Sequence, residues 1–460
     1  MTLRSLFVDF NSYFASVEQE VQPALRGLPL AVVPVAAETT CCIAASYEAK
    51  AFGIRTGTLV AEARALCPGL VLCVARPALY VEWHHRLLAA IGRVLPIARI
   101  GSIDEVACEL IGRERQRAHA EGLARQIKAE IAREAAAIRC SIGIAPNDFL
   151  AKTAADMRKP DGLTVIEQAD LPQALHGLAL RDLCGIGAAM EARLHAHGIR
   201  SVAALTAADA RALRRAWGSI EGARMAMLLR GAWLPAVAGA RASIGHSHVL
   251  GPELRTPAGA RAVLHKLLAK AALRLRHHGL LAGALSVRVR YLGVEARWEA
   301  DLAFEPCDDT RSLLRLLTRL TDGAGHGRLP GPVRARPLAV AVTLHRLVER
   351  ARTTPSLFGE APRARALDAA LDRINARFGP NAVHFGGMQR ALDHAAAPMR
   401  IPFSRIPDAA SEDESGAHAL WQQAYDRARV LAEAAHRRAE QGRPPRDAKL
   451  EAPRDPRRRP

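Results

Sequence analysis

No Cys-x-x-Cys pair occurs among the eight cysteines of this 460-residue chain. Zinc clusters built on paired cysteines and a thioredoxin-like redox site are thereby excluded. The adjacent Cys41 and Cys42 cannot bridge within a regular element, and Cys73, Cys108 and Cys140 sit in apolar surroundings that suit small buried thiols. A reducing, cytoplasmic setting is expected. No apolar run is long enough to span a bilayer and no basic-then-apolar leader is evident, so neither a membrane anchor nor a signal segment is expected. Nor is there an internal repeat, which sets solenoid architectures aside. Acidic side chains are in short supply. Against 64 Lys and Arg stand 46 Asp and Glu, a formal charge of +18 that calls for an anionic partner, nucleic acid foremost.

What the chain does have is hydrophobic bulk. Such residues make up 49% of it, enough for well-packed cores, and its length predicts two to four domains. Residues 1–10, 30–33 and 41–44 read as strands, and Ser46 opens a short helix running through Lys50. A helix is expected at 80–95 and a hairpin at 99–110. Leu123, Ile127 and Ile131 recur every four residues on one helical face, and 140–144 reads as a further strand. Strands alternating with helices predict a first α/β or α+β domain ending near residue 166. Residues 167–235 read as wholly helical. From 242 to 348 a separate small α+β domain is expected, tethered by 230–241. There Val287, Val289 and Tyr291 alternate with Ser286, Arg288 and Arg290, a second strand lies at 338–344, and a basic helix at 260–277. Beyond Glu349 the chain reads as linker-like, with helices at 365–378 and 417–438, and a Pro- and Arg-rich stretch at 442–460 that reads as disordered.

Three acids stand out. Asp9 follows the apolar Leu6-Phe7-Val8, and Asp104 and Glu105 lie between Ile103 and Val106-Ala107-Cys108. A carboxylate at the end of a buried strand costs free energy unless something neutralises it. Divalent metal is the natural neutraliser, and Mg²⁺ takes a few carboxylates while leaving positions for substrate phosphates.

Four stretches give this pattern a family. They are Val8-Asp9-Phe10-Asn11-Ser12-Tyr13-Phe14-Ala15-Ser16-Val17-Glu18, Ala45-Ser46-Tyr47-Glu48-Ala49-Lys50-Ala51-Phe52-Gly53-Ile54, Ser102-Ile103-Asp104-Glu105, and Ser141-Ile142-Gly143-Ile144 running on through Leu150-Ala151-Lys152 to Lys159-Pro160-Asp161-Gly162. In order and spacing they resemble the bacterial Y-family translesion DNA polymerases of the DinB/UmuC type, over roughly residues 1–348. The resemblance implies an α+β multidomain right hand: palm at 1–19 and 76–166, fingers at 20–75, a helical thumb with a helix-hairpin-helix at 167–235, an α+β little finger at 242–348, and a carboxy-terminal region at 349–460. It also implies template-directed addition of deoxynucleotides to a primer 3′ end, with low fidelity and no proofreading.

The site residues come from the same resemblance. Asp9, Asp104, Glu105 and the Phe10 carbonyl would hold two Mg²⁺ ions. Phe10, Tyr13 and Phe14 would line the nucleotide site, Phe14 as the gate that leaves no room for a ribose 2′-hydroxyl. Tyr47, Lys50 and Lys159 would hold the triphosphate. Lys50 stands where relatives usually carry arginine, so a point charge replaces a two-pronged fork. In Cys184-Gly185-Ile186-Gly187 the glycines Gly185 and Gly187 would bring backbone N–H groups to a DNA phosphate, and Arg288 and Arg290 would meet duplex phosphates. Thr354-Pro355-Ser356-Leu357-Phe358 resembles a clamp-binding pentapeptide with threonine replacing the usual glutamine, and Leu357 and Phe358 would fill an apolar pocket on the sliding clamp. Leu371-Asp372-Arg373-Ile374-Asn375 and His384-Phe385-Gly386-Gly387 are similar to the carboxy-terminal region of UmuC-type polymerases. Partners are then primed DNA, deoxynucleoside triphosphates and the clamp, for a chain monomeric on its own. Two other classes compete. A catalytically silent relative would act as a recruitment subunit between clamp and repair proteins, but such members lose the acidic trio. A nucleotidyl transferase or cyclase on a similar palm would need neither the 242–348 domain nor the glycine hairpin.

Overall fold

The computed structural model describes residues 3–234, 241–293, 297–322, 335–353 and 361–397, together with Met399 and Ile406. Its first strand, β1 (Ser5–Phe10), is buried throughout. Successive side chains of a strand point to opposite faces, and here both faces are covered. Leu6, Val8 and Phe10 enter one core and Phe7 another, which puts Asp9 on the side of Phe7. Helix α1 (Tyr13–Val21) comes at once after it. A small three-stranded sheet is next, with β2 (Leu30–Val33) central between β3 (Ala44–Ala45) and β4 (Val71–Val74). Its own core joins Ala31, Val33 and Leu72 to Ile54 and Val60, beneath α2 (Tyr47–Ala51) and α3 (Val60–Leu66). Ser46 caps α2 by accepting from the Ala49 N–H at 3.2 Å. The strand expected at 41–44 forms only at Ala44–Ala45, because the Cys42 backbone pairs with Thr58 and Gly57 instead of with β2.

The large sheet runs β5 (Ile97–Ile100), β6 (Glu105–Glu109), β1, β7 (Cys140–Ala145), β8 (Leu163–Val165). Helices α4 (Pro77–Gly92) and α5 (Arg117–Glu134) cover one face, with Tyr80, Leu87, Ile91, Ile127 and Ile131 in the core. Helix α6 (Asp148–Met157) covers the other. Gly143 on β7 makes that second contact possible, since a Cβ there would lie 1.9 Å from the Ala151 carbonyl oxygen. Asn147 caps α6 by accepting from Leu150 N–H at 2.8 Å, and its amide donates to the carbonyls of Leu228 and Ala232 at 2.9 and 3.0 Å.

Those two carbonyls belong to a helical region, α7 (Ala188–Ala196), α8 (Val202–Ala207), α9 (Ala210–Trp217) and α10 (Glu221–Leu229), with short 3₁₀ turns before it. It shares one core with α6 through Leu175, Leu183, Leu194, Leu205, Leu213 and Leu229. Of the expected tether, residues 235–240 lie outside the described residues.

A second sheet domain comes after it, antiparallel throughout, in the order β11 (Arg297–Cys307), β10 (Leu280–Tyr291), β12 (Pro337–Glu349), β9 (Ser243–Val249). Helices α11 (Pro257–His277) and α12 (Thr310–Thr321) pack on one face, against Val287, Val289 and Tyr291 as the alternation predicted. The basic helix expected at 260–277 is α11, and its charge is largely turned inward: Lys266 is fully buried and Arg274 nearly so. Arg274 meets Gly245 and His246 of β9, and for Lys266 and Arg276 the reason lies in the chain beyond Glu349, which is no plain linker. Helices α13 (Ala361–Phe378) and α14 (Gln389–Asp393) settle on this domain, where Lys266 donates to the Ala396 carbonyl at 2.6 Å and Arg276 pairs with Asp368 and Asp372. Met399 is then buried in the core of β1, with Ile406 packed against it. The clamp-like pentapeptide and the stretches 417–438 and 442–460 lie outside the described residues. Among the described residues no helix is long and apolar enough to cross a membrane.

Gly143→Ala is expected to push α6 off the sheet, with an overpacking cost of about 1–3 kcal/mol. Urea denaturation reads it, and an unchanged midpoint would mean that α6 can slide freely over β7.

Candidate active site

Strand β1 ends at the site, and pairing with its neighbours sets the positions of the acids. Asp9 is directly opposite Glu105 in the β1–β6 ladder, and the Phe10 N–H donates to the Asp104 carbonyl at 2.8 Å. The turn after β1 is over-determined. Asn11 donates to the Ser141 hydroxyl at 2.9 Å and accepts from the Asp161 N–H at 2.7 Å, while Ser16 Oγ donates to the Asn11 carbonyl at 2.7 Å. This network holds Ser12 at φ 48°, a left-handed conformation a serine rarely takes and one that concentrates at functional sites.

A cavity opens at this turn. Asp9, Phe10, Tyr13, Phe14, Lys50, Asp104 and Lys159 line it, seven of the expected site residues drawn from well-separated parts of the sequence. Ser12 and Thr56 line it as well. Lys159 Nζ pairs with Asp9 and with Asp156 at 2.7 Å each, and Lys50 Nζ donates to Ser12 Oγ at 2.7 Å. The Lys50 ammonium sits 4.3 Å from the centre of the Tyr47 ring, which keeps Tyr47 beside the cavity wall.

Burial dominates the electrostatics. It pushes the Asp9 carboxyl up to about 7, with the nearby Asp104 pushing the same way and Lys159 opposing. The same desolvation raises Asp104, opposed by the Ser102 hydroxyl that donates to its Oδ1 at 2.6 Å. Burial would lower the Lys159 ammonium, but Asp9 and Asp156 outweigh it and hold it above its usual range. Lys50 has no such carboxylate pair, and burial with the adjacent Lys159 charge lowers it. Glu105 departs from the expected trio. Its carboxylate is ion-paired with Lys152 of α6, and it does not line the cavity. Accordingly, no cluster of three metal-ligating side chains is assembled among the described residues. The donor chemistry still suits a hard cation: the buried Asp9 and half-buried Asp104 carboxylates at one wall beside Phe10, with a third carboxylate one strand away, are oxygen ligands of the kind Mg²⁺ takes.

Residues that sequence reasoning passed over form the layer behind. The Phe14 ring stacks on Tyr80 with centroids 4.4 Å apart at 17°, and Tyr13 Oη donates to the Tyr80 carbonyl at 2.6 Å. Tyr80 Oη in turn donates to Glu18 at 2.7 Å, and Glu18, fully buried, is ion-paired with Arg76. His84, buried on α4, holds the Ile103 carbonyl at 2.7 Å, one residue before Asp104, and burial pushes its imidazole down to about 4, so it is neutral and donates through Nδ1. Apolar periodicity marks all of these as core, and only the packing of α1 on α4 gives them this task.

The residues expected to meet DNA do not line the cavity. Gly185 has φ 86°, and Gly187 caps α7. On the open face of the second sheet Arg288 is exposed but ion-paired across the strands with Glu299, and Arg290 is exposed two residues on.

Comparison with known proteins gives this geometry its context. Residues 8–156 match the impB/mucB/samB family, and residues 241–357 match the C-terminal domain of the same family. DNA polymerase IV of Moorella thermoacetica is 34% identical over 397 residues, which covers 82% of this chain and 94% of that protein. The chain belongs to the impB/mucB/samB family of Y-family DNA polymerases. Among other relatives, DNA polymerase IV 2 of Mesorhizobium japonicum is 30% identical over 84% of this chain and 94% of its own length. The fold agrees: a solved Y-family DNA polymerase chimera of Dbh and Dpo4 superposes with a TM-score of 0.61, at 22% identity, over 75% of this chain and 99% of that one. As a Y-family member the chain has the α+β multidomain architecture that its motifs implied.

The raised Asp9 pKa sets a sign for stability in metal-free buffer. A carboxyl whose folded-state value is raised contributes stability that is fully present below its ordinary 3.8 and lost as pH rises through about 7. Asp9→Asn, with no charge to bury, is therefore expected to melt progressively higher than the unaltered chain between pH 5 and pH 8 in EDTA. A difference in Tm that does not change with pH would place the Asp9 carboxylate in water.

Proposed function

We propose that the chain is a template-directed DNA polymerase of the translesion type, a cytoplasmic enzyme that adds deoxynucleotides to a primer 3′ end with low fidelity. The observation that carries this reading is the convergence of Asp9, Phe14, Lys50, Asp104 and Lys159 on one cavity. The names of the curated relatives support it in the same direction.

In this reading residues 1–19 and 76–166 are the palm, 20–75 the fingers, 167–235 the thumb and 242–348 the little finger. Asp9, Asp104 and the Phe10 carbonyl would hold Mg²⁺ at the cavity wall, with Glu105, now paired with Lys152, as a further carboxylate ligand. Two such ions, when bound, supply the charge that lowers the pKa of the primer hydroxyl and offsets that of the departing pyrophosphate. Lys159, Lys50 and Tyr47 receive the triphosphate. Lys159, which pairs with Asp9 here, would turn its ammonium to phosphate. Phe14 is held flat by Tyr80 and cannot retreat from a sugar hydroxyl, so ribonucleotides are refused by overlap. The Gly185–Gly187 turn and the open sheet face with Arg288 and Arg290 grip duplex phosphates, with affinity falling as salt rises. Leu357 and Phe358 reach for a sliding clamp, and the chain works as a monomer.

Asp104→Ala is expected to lower primer extension by more than about a hundredfold, since even second-layer metal partners are worth 10–100-fold, while primed-DNA binding stays near its original strength. Extension at the original rate in that variant would remove Asp104 from the chemistry. It would also leave room for the silent recruitment subunit, for which the acids are dispensable.

Phe14→Ala tests the gate. The ratio of kcat/KM for ribo- over deoxynucleotides should rise by at least about tenfold, equivalent to about 1.4 kcal/mol of lost discrimination. An unmoved ratio would return Phe14 to the core.

A further inference from the structure

Helix α13 is seated with its polar side inward. Asp368 is buried, accepting from the Thr310 N–H at 2.8 Å, and Asp372 takes two bonds from Arg276, at 2.7 and 2.8 Å. Leu367, Leu371, Ile374 and Phe378, spaced i, i+4, i+7 and i+11, make one stripe, and that stripe faces out. Leu367 is 43% exposed, Ile374 36% and Phe378 67%. Val383, 41% exposed, extends the patch, held beside the helix by the two bonds of Asn375 to its backbone. Scattered exposed apolar residues need no explanation, but a contiguous stripe of this kind marks a docking surface.

The margin of the stripe says what it takes. Arg363, Arg373 and Arg377 are exposed along one side of it, while the acids of the other side are already engaged with Arg276. A second copy paired antiparallel would set arginine against arginine, so self-association is disfavoured. The fitting occupant is apolar and acidic. This chain carries such a stretch immediately after Ile406, outside the described residues: Asp408 and Glu412-Asp413-Glu414, then Leu420-Trp421 and Tyr425. We propose that the outer face of α13 is the seat of the chain's own segment 408–431, its acids meeting Arg363, Arg373 and Arg377 and its Trp421 covering the stripe.

Trp421 reports on this directly in the full-length chain. Its emission, isolated as the difference between the chain and its Trp421→Phe variant, is expected to be blue-shifted, as for an indole out of water. Ile374→Asp with Phe378→Asp should move it to the red by the full span to a solvent-exposed indole. These positions are already exposed, so primer extension and overall melting should be unchanged. Arg373→Glu with Arg377→Glu should release Trp421 as well, and adding Glu412→Lys with Glu414→Lys should restore the blue emission. A red, water-like Trp421 in the unaltered chain overturns the proposal. So does a blue Trp421 that ignores the stripe substitutions, or a blue shift that vanishes on dilution, which would assign the face to a second copy.

Discussion

Two carboxylates withdrawn from water at one strand end govern this structure. Asp9 is raised to about 7 and Asp104 is raised beside it, because burial penalises both and a neighbouring acid adds to each penalty. Such a pair is tolerable only next to cations, and the surrounding architecture brings them. Helix α6 and the turn after it supply Lys152 and Lys159, and the small three-stranded domain supplies Lys50. Even the close approach of α6 to the sheet, for which β7 gives up a side chain at Gly143, serves to bring ammonium groups within reach of acids on β1 and β6. The three lysines carry the positive charge that these acids require.

Much of this was legible in the sequence, for a physical reason. Asp9 and Asp104 interrupt apolar stretches, and an acid in such a place has few harmless explanations. The alternation of Val287, Val289 and Tyr291 with Ser286, Arg288 and Arg290 likewise transmitted the two faces of β10 without distortion. The orientation of Glu105 was not legible. Whether it meets Asp9 or Lys152 depends on where α6 lies over the sheet, which no local pattern encodes. The layer of Tyr80, Glu18 and His84 was hidden similarly, since a polar atom in a buried helix position reads as core until its partner is known.

The largest misreading concerned the chain after Glu349, and its cause is a default. Charged residues lie in water by default, and no local pattern marks Asp368, Asp372 and the cations of α11 as partners. They face one another instead. Arg276 is half-buried and Lys266 fully buried because the later segment supplies carboxylates to the one and the Ala396 carbonyl to the other, with the Ala397 carbonyl taken by Lys270. Truncating one partner of such an arrangement leaves the other stranded in the interior, which is costlier than losing an exposed pair.

Asn147 has a consequence for how the hand can move. One amide side chain both starts α6 and fastens the carbonyls at Leu228 and Ala232. The helical region that carries α7 to α10 is thus moored to the first turn of the helix bearing Lys152 and Asp156. A swing of that region pulls on the same anchor that sets the height of those side chains over β1. Movement of the helical region and the placement of Lys152 and Asp156 are, through this one residue, mechanically the same event.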